Sequence, residues 1–175
     1  MARNVEIKAK VRDRQKIIQL AKELTNEDPT LLKQHDIFYN SPQGRLKMRT
    51  VEENGVVRTE LIWYDRPDVA GPKLCNYSKF DVPADVLSSL KETLRCSMGV
   101  KGEVKKVRSL FIFERTRIHI DNVEGLGDFM ELEVCLRDSE SVSDGELVAN
   151  EITQELGVLD EDLLEGAYMD LLNGQ

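Results

Sequence analysis

The sequence predicts an α+β domain built on a mostly antiparallel sheet of about eight strands, strongly curved or closed, with helices inserted and appended. Three observations predict it. Runs of alternating apolar and polar residues recur along the chain at the period of two that a half-buried strand shows. Hairpin-length turns such as "SPQG" and "ENG" join several of them and make neighbouring strands antiparallel. Segments with helical periodicity stand between and after these runs.

The elements follow in order. Residues 3–13, "RNVEIKAKVRD", alternate Asn4, Glu6, Lys8, Lys10 and Arg12 with Val5, Ile7, Ala9, Val11 and Asp13. Residues 14–24 place Ile17, Ile18, Leu20, Ala21 and Leu24 on one helical face, with Asp13 as the cap and Pro29 forbidding continuation. Strands are expected at 34–40, 44–52, 56–65 and 73–82, and a helix at 84–96 with Val86, Leu87, Leu90 and Leu94 inward. Three more strands follow at 102–113, 115–122 and 128–138, the last two joined tightly through "VEGLGD". Helices near 144–156 and 161–172 close the chain.

Whole-chain properties bound the function. The 175 residues suit one domain, 1–175, with a real core, and 41% apolar with 32% charged residues fit a globular protein. A net charge of −8 argues against a non-specific nucleic-acid binder, which needs a basic face, but allows a local basic site for a small polyanion. Cys75, Cys96 and Cys135 are odd in number and widely spaced, so reduced, buried thiols of a cytosolic protein are expected. No stretch approaches the roughly 20 apolar residues of a membrane helix, and the N-terminal residues lack a signal-peptide layout, so the expected location is cytoplasmic.

The polar strand faces are unusual. Lys47 and Arg49 share one face, Lys106 and Arg108 another; Arg115, Arg117, His119 and Asp121 share a third, and Glu131 and Glu133 a fourth. Together with residues 4–12, five strands carry charge pairs two apart. On any one strand a solvated outer face explains this. Five in one short antiparallel domain suggest a barrel whose charged faces look inward. Cations and carboxylates in one lumen suit a polyphosphate bound with divalent metal: Arg and Lys neutralise phosphate oxygens, and carboxylates hold a hard Mg²⁺ or Mn²⁺.

These residues carry a family resemblance. "NVEIK" at 4–8 resembles the ExExK signature of the CYTH superfamily, with Asn4 in place of the first glutamate. "IDNVEGLGDFMELEV" at 120–134 resembles its glycine turn and glutamate strand, "LKMR" at 46–49 its basic strand, and "AYMDLL" at 167–172 its C-terminal helix motif. The likeness runs in order over nearly the whole chain and is nearest to the class IV adenylyl cyclase-like subgroup. It implies an eight-stranded antiparallel β-barrel, a triphosphate tunnel, with flanking helices and divalent-metal-dependent chemistry.

The resemblance also implies roles. Glu6, Asp121, Glu131 and Glu133 match metal-binding positions, and Asn4 could still offer an amide oxygen. Lys8, Lys47, Arg49, Lys106 and Arg108 match phosphate-binding positions, with Lys10, Arg115 and Arg117 as further candidates. Lys8, Arg49 and Glu6 are the residues expected to carry catalysis. Tyr64 or Arg66, in "LIWYDRPD", stands where the family ends its central strand in lysine, and of Trp63 and Tyr64 at most one can face a ligand. His119 reads as a hydrogen-bonded strand residue rather than a base. The expected function is a metal-dependent triphosphatase acting on inorganic triphosphate or a related organic triphosphate. The alternatives are an adenylyl cyclase forming cyclic AMP and pyrophosphate, and a catalytically silent polyphosphate- or nucleotide-binding module. The expected partner is a triphosphate-containing small molecule, with neither nucleic acid nor membrane, on a monomer or homodimer.

Overall fold

The computed structural model describes residues 2–174. Its elements are β1 (Ala2–Lys10), α1 (Arg14–Thr25), β2 (Thr30–Tyr39), β3 (Arg45–Glu53), β4 (Val56–Asp65), β5 (Lys73–Asp81), α2 (Ala84–Met98), β6 (Val100–Phe113), β7 (Thr116–Val123), β8 (Gly127–Cys135), α3 (Val142–Glu155), a 3₁₀ turn (Asp160–Asp162) and α4 (Tyr168–Leu172). The strands close into an antiparallel barrel in the order β1-β5-β4-β3-β2-β6-β7-β8, with β8 returning to β1.

The barrel is turned inside out relative to an oil-filled one. Val5, Ile7 and Ala9 of β1, Ile118 and Ile120 of β7, and Met130, Leu132 and Val134 of β8 are each at most 1% exposed. They pack outward against Ile17 and Ala21 of α1 and Ala149 and Ile152 of α3. Burying each large aliphatic side chain stabilises by about 1.5–3 kcal/mol. A one-residue slip would turn that whole set the other way, so the apolar face fixes the register. Strict alternation then leaves the charged face of these strands nowhere to go but the lumen.

Local chemistry sets the connections. Asp13 caps α1 by accepting from the Lys16 N–H, and Asn26 ends that helix in the left-handed region at φ 53°. Ser141 and Asp144 form a reciprocal capping box on α3. Gly44 adopts φ +63°, and a Cβ there would lie 2.7 Å from the Tyr64 carbonyl oxygen, so the β2–β3 turn requires glycine.

The structure corrects several expectations. The first strand stops at Lys10 rather than 13, because Asp13 is committed to capping and Arg12 to ion pairs with Glu161 and Asp162. No residue of α2 is buried and Val86 is 45% exposed, so this helix lies over the barrel rather than inserting into a core. The expected helix at 161–172 is a single 3₁₀ turn, an extended segment and the five-residue α4. The extended part forms because its backbone has other partners: Leu163 bridges to Ala9, and the Leu164 N–H donates to the Lys8 carbonyl. All three cysteines are free, but only Cys75 is buried, and Cys96 is exposed.

Candidate active site: a charged lumen closed at one end

The lumen forms a cavity of about 180 Å³, open to solvent at its mouth. Its walls carry nine basic side chains (Lys8, Lys47, Arg49, Arg58, Arg66, Lys79, Lys106, Arg108 and Arg117) and five acidic ones (Glu6, Asp36, Glu60, Glu131 and Glu133). A chain of net charge −8 thus concentrates an excess of four positive charges inside its own barrel.

One end is closed by residues 163–168. The Lys8 ammonium donates to the Gly166 carbonyl at 3.4 Å, Lys73 to the carbonyls of Leu164 and Glu165 at 3.0 and 3.3 Å, and Arg66 to the Glu165 carbonyl at 3.3 Å. Tyr168, 5% exposed, completes the closure. At the other end Arg58 and Lys79, both partly exposed, flank Glu60.

The basic groups are held by carboxylates. Arg49 makes a two-pronged contact to Asp36 at 2.7 and 2.6 Å, across the register that pairs β2 with β3, and Lys47 lies 3.3 Å from the same carboxylate. Arg108 does the same to Asp121 at 2.7 Å on both oxygens, with Lys106 at 3.3 Å. Burial alone would raise both aspartates, but the facing cations outweigh it and hold them far below the usual carboxylate range. Burial, with Arg108 nearby, drives Lys106 down to about 7. Lys8 and Lys47 are lowered chiefly by the same desolvation.

The acidic side is built by β1, β7 and β8. Glu131 and Glu133 face His119 across the β7–β8 ladder, and one ligand atom from each of the three lies within 4.8 Å of the others. The His119 Nδ1 atom is buried without a hydrogen-bond partner, 4.0 Å from Glu131 Oε2 and 3.8 Å from Glu133 Oε1. Burial and Arg108 lower its pKa, which favours the neutral imidazole, a metal-ligating form. Glu131 Oε2 also accepts from Arg108 at 3.1 Å and Glu133 Oε2 from Arg117 at 2.8 Å; the two carboxylates and the unpartnered His119 Nδ1 still lie close enough to share a divalent cation.

The expected site residues divide by position. Glu6, Lys8, Lys47, Arg49, Lys106, Arg108, Arg117, Glu131, Glu133 and Asn4 all line the lumen. Lys10 does not: it is exposed at the end of β1 and outside the lining. Arg115 turns away to pair with Glu140. Asp121 is fully buried behind the lining, and its oxygens accept from Arg108 and from the Tyr168 hydroxyl at 3.1 Å. Glu6 sits 3.4 Å from Arg66, and burial with repulsion from Glu131 and Glu133 raises its pKa. Arg66 and Tyr64 both face inward, while Trp63 points out and donates to the Gln43 carbonyl. His119 faces Glu131 and Glu133 with its Nδ1 atom at 4.0 and 3.8 Å from their oxygens. Gln34, Asp36, Glu60, Lys73 and Tyr168 went unforeseen. Asp36 carries no charge partner two residues away on the inward face, Glu60 does carry one in Arg58, a pair the same pattern could have found, and Lys73 and Tyr168 lie at the edge of segments read for other purposes.

The chain matches the CYTH domain over residues 2–168 and belongs to that family. It is 28% identical to a Methanocaldococcus jannaschii protein named as a candidate adenylate cyclase, over 95% of this chain and 97% of the relative. Its fold is similar to the solved structures of a Pyrococcus horikoshii protein (TM-score 0.81, 21% identity, 98% of each chain) and of a Hippeastrum protein (TM-score 0.66, 14% identity, 98% and 96%).

Proposed function

We propose that residues 1–175 act as a single triphosphate-tunnel domain, a divalent-metal-dependent triphosphatase hydrolysing inorganic triphosphate or a related organic triphosphate. The observation that carries this reading is the charge inside the barrel: nine basic lining groups against five acidic ones, three of which, Glu6, Glu131 and Glu133, share the β1–β8 wall. Even with the buried Asp121 behind Arg108 and Lys106 counted, the positive excess suits a triphosphate chain. Lys8, Lys47 and Lys106, beneath the closed end, would take the terminal phosphate, and Arg49 and Arg108 the next. The two-pronged aspartate contacts keep both guanidiniums oriented before the ligand arrives, which is how charge-stabilising sites avoid reorganisation.

Glu131, Glu133 and His119 would hold the cation, with Glu6, the neighbour of Glu133 across β1 and β8, as a further donor. When bound, the ion would neutralise phosphate oxygens as a Lewis acid. An imidazole beside two carboxylates favours Mn²⁺ over Mg²⁺, whose ligands are almost all oxygen. Lys106, at about 7, holds its proton below that value, so its hold on phosphate weakens as pH rises through neutrality. Lys8 and Arg49 stabilise the charge developing on the leaving phosphate. Cytoplasm is the compartment we assign; no helix of the described residues is long and apolar enough to cross a membrane.

The Hippeastrum protein is described as having a dominant triphosphatase activity, which supports hydrolysis. The name of the Methanocaldococcus jannaschii relative favours the second reading, cyclisation of ATP. The test incubates the pure protein with inorganic triphosphate, ATP and thiamine triphosphate, with Mg²⁺ or Mn²⁺, and quantifies phosphate, pyrophosphate and cyclic AMP. Phosphate release, best from inorganic triphosphate, is expected. Equal amounts of cyclic AMP and pyrophosphate as main products would install the cyclase reading instead.

A further inference from the structure

Tyr168 touches more of the lumen's cation network than any role in closing the barrel requires. Its ring centroid lies 3.9 Å from the Lys8 ammonium on β1 and 4.9 Å from the Lys106 ammonium on β6. Its hydroxyl donates to Asp121 Oδ2, the oxygen that also faces Lys106 at 3.3 Å. Phe129 packs tilted against it, with centroids 5.1 Å apart, and fixes the ring plane. Two strands of the closed barrel, β7 and β8, separate β1 from β6, so this one ring joins the two lysines across the lumen.

Each of those lysines has a competing partner. Lys8 lies 3.6 Å from Glu131, and Lys106 lies 3.3 Å from Asp121. Both ammoniums lie within ion-pair distance of those carboxylates, and Lys8 also donates to the Gly166 carbonyl at 3.4 Å; such contacts alone leave a long flexible arm free to swing around its partner. The negative face of an aromatic ring attracts ammonium groups without forming a competing salt bridge. It offers no anionic oxygen that phosphate would have to displace.

We propose that Tyr168 is a positioning residue: its ring holds Lys8 and Lys106 facing the lumen as one anion-binding pair, so that the C-terminal segment builds part of the phosphate site it closes. This rests on the triphosphate reading for the identity of the anion, but not for the placement of the lysines. The ring, not the hydroxyl, is the active part, since Asp121 keeps Arg108 without it.

The experiment compares Tyr168→Phe and Tyr168→Leu in the full chain. Tyr168→Leu should lower kcat/KM for inorganic triphosphate about tenfold, while Tyr168→Phe stays within about twofold of wild type. In the ligand-free protein, the Lys8 and Lys106 ε-methylene NMR signals should be displaced by the ring current, retained in Tyr168→Phe and lost in Tyr168→Leu. If Tyr168→Leu fails to fold, pentafluorophenylalanine at this position decides. It keeps the ring's shape and reverses its quadrupole, and should lose activity as the leucine variant would. A phenylalanine variant as impaired as leucine, or a fluorinated ring as active as wild type, overturns the proposal. So does the absence of displaced lysine signals in wild type. If wild type binds no triphosphate, the functional reading fails, and the lysine signals still decide the placement.

Discussion

The two walls of the lumen are supported differently. The acidic wall, β1, β7 and β8, has its outer face sealed by α1 and α3, and Ile7, Ile118, Ile120 and Leu132 are essentially inaccessible. On the remaining strands, Leu31, Val57, Phe80 and Val107 stay at least 42% exposed, and α2 lies over β2 without burying a residue. On the proposed reading, holding an ion demands fixed donor positions, and the close-packed backing of the acidic wall provides them. Binding phosphates tolerates movement, because long basic side chains reach, and Arg49 and Arg108 each carry an aspartate. The difference teaches that this barrel backs its acidic wall with packing and its basic groups with orienting ion pairs.

The largest effect should come from breaking the acidic wall. Glu131→Gln or Glu133→Gln removes charge and keeps shape, and should lower turnover on the order of a hundredfold or more with the circular-dichroism spectrum unchanged. Near-wild-type activity at limiting metal would remove that strand from the ion site.

On the basic wall, Arg49→Ala should lower kcat/KM roughly tenfold to a hundredfold with every triphosphate tested. It should also cost about 3–5 kcal/mol of stability, since it strips the two-pronged partner from a buried carboxylate. Adding Asp36→Asn should recover much of the stability, read by urea denaturation, and none of the activity. Recovery of both would mean that Arg49 serves only the fold.

A pH profile sharpens the comparison further. Lys106 must carry its proton to bind phosphate, so kcat/KM should fall as pH rises through a midpoint near 7, the free-enzyme value. Bound phosphates favour the ammonium, so the midpoint in kcat should lie higher. Lys106→Arg should abolish the falling limb; an unchanged limb in that variant would assign the titration to another group.

The smallest effect concerns Asn4, whose Oδ1 is buried and unpartnered between Cys75 and Cys135 on the flanking strands. Asn4→Glu should lower the metal concentration for half-maximal rate by a few-fold, on the order of one added charged ligand. An unchanged metal dependence would place Asn4 outside the ion's reach.

Much of this was legible in the residues, and for a physical reason. Pairs such as Lys47 with Arg49 and Glu131 with Glu133 repeat at the strand period, and five such faces in one antiparallel sheet are hard to solvate on the outside. What escaped notice depends on partners distant in the chain. Lys10 continues the alternation of β1 but is its last residue, exposed and outside the lumen lining. Asp121 sits correctly on its face, yet whether its oxygens are free is decided by Arg108 on β6 and Tyr168, 47 residues away. The pattern at 161–172 is helical, but Lys8, Arg66 and Lys73 claim the backbone carbonyls of that segment, and local periodicity cannot show such a competition.

The closed end has a consequence for traffic. A passage open at both ends lets a product leave ahead while the next molecule enters behind. With the carbonyls of Leu164, Glu165 and Gly166 drawn across one end, arrival and departure share one doorway. A linear chain must then enter end first and halt against the blind wall. Under the proposed triphosphatase reading, a product formed at the bottom of the well must wait for the fragment nearer the mouth to leave.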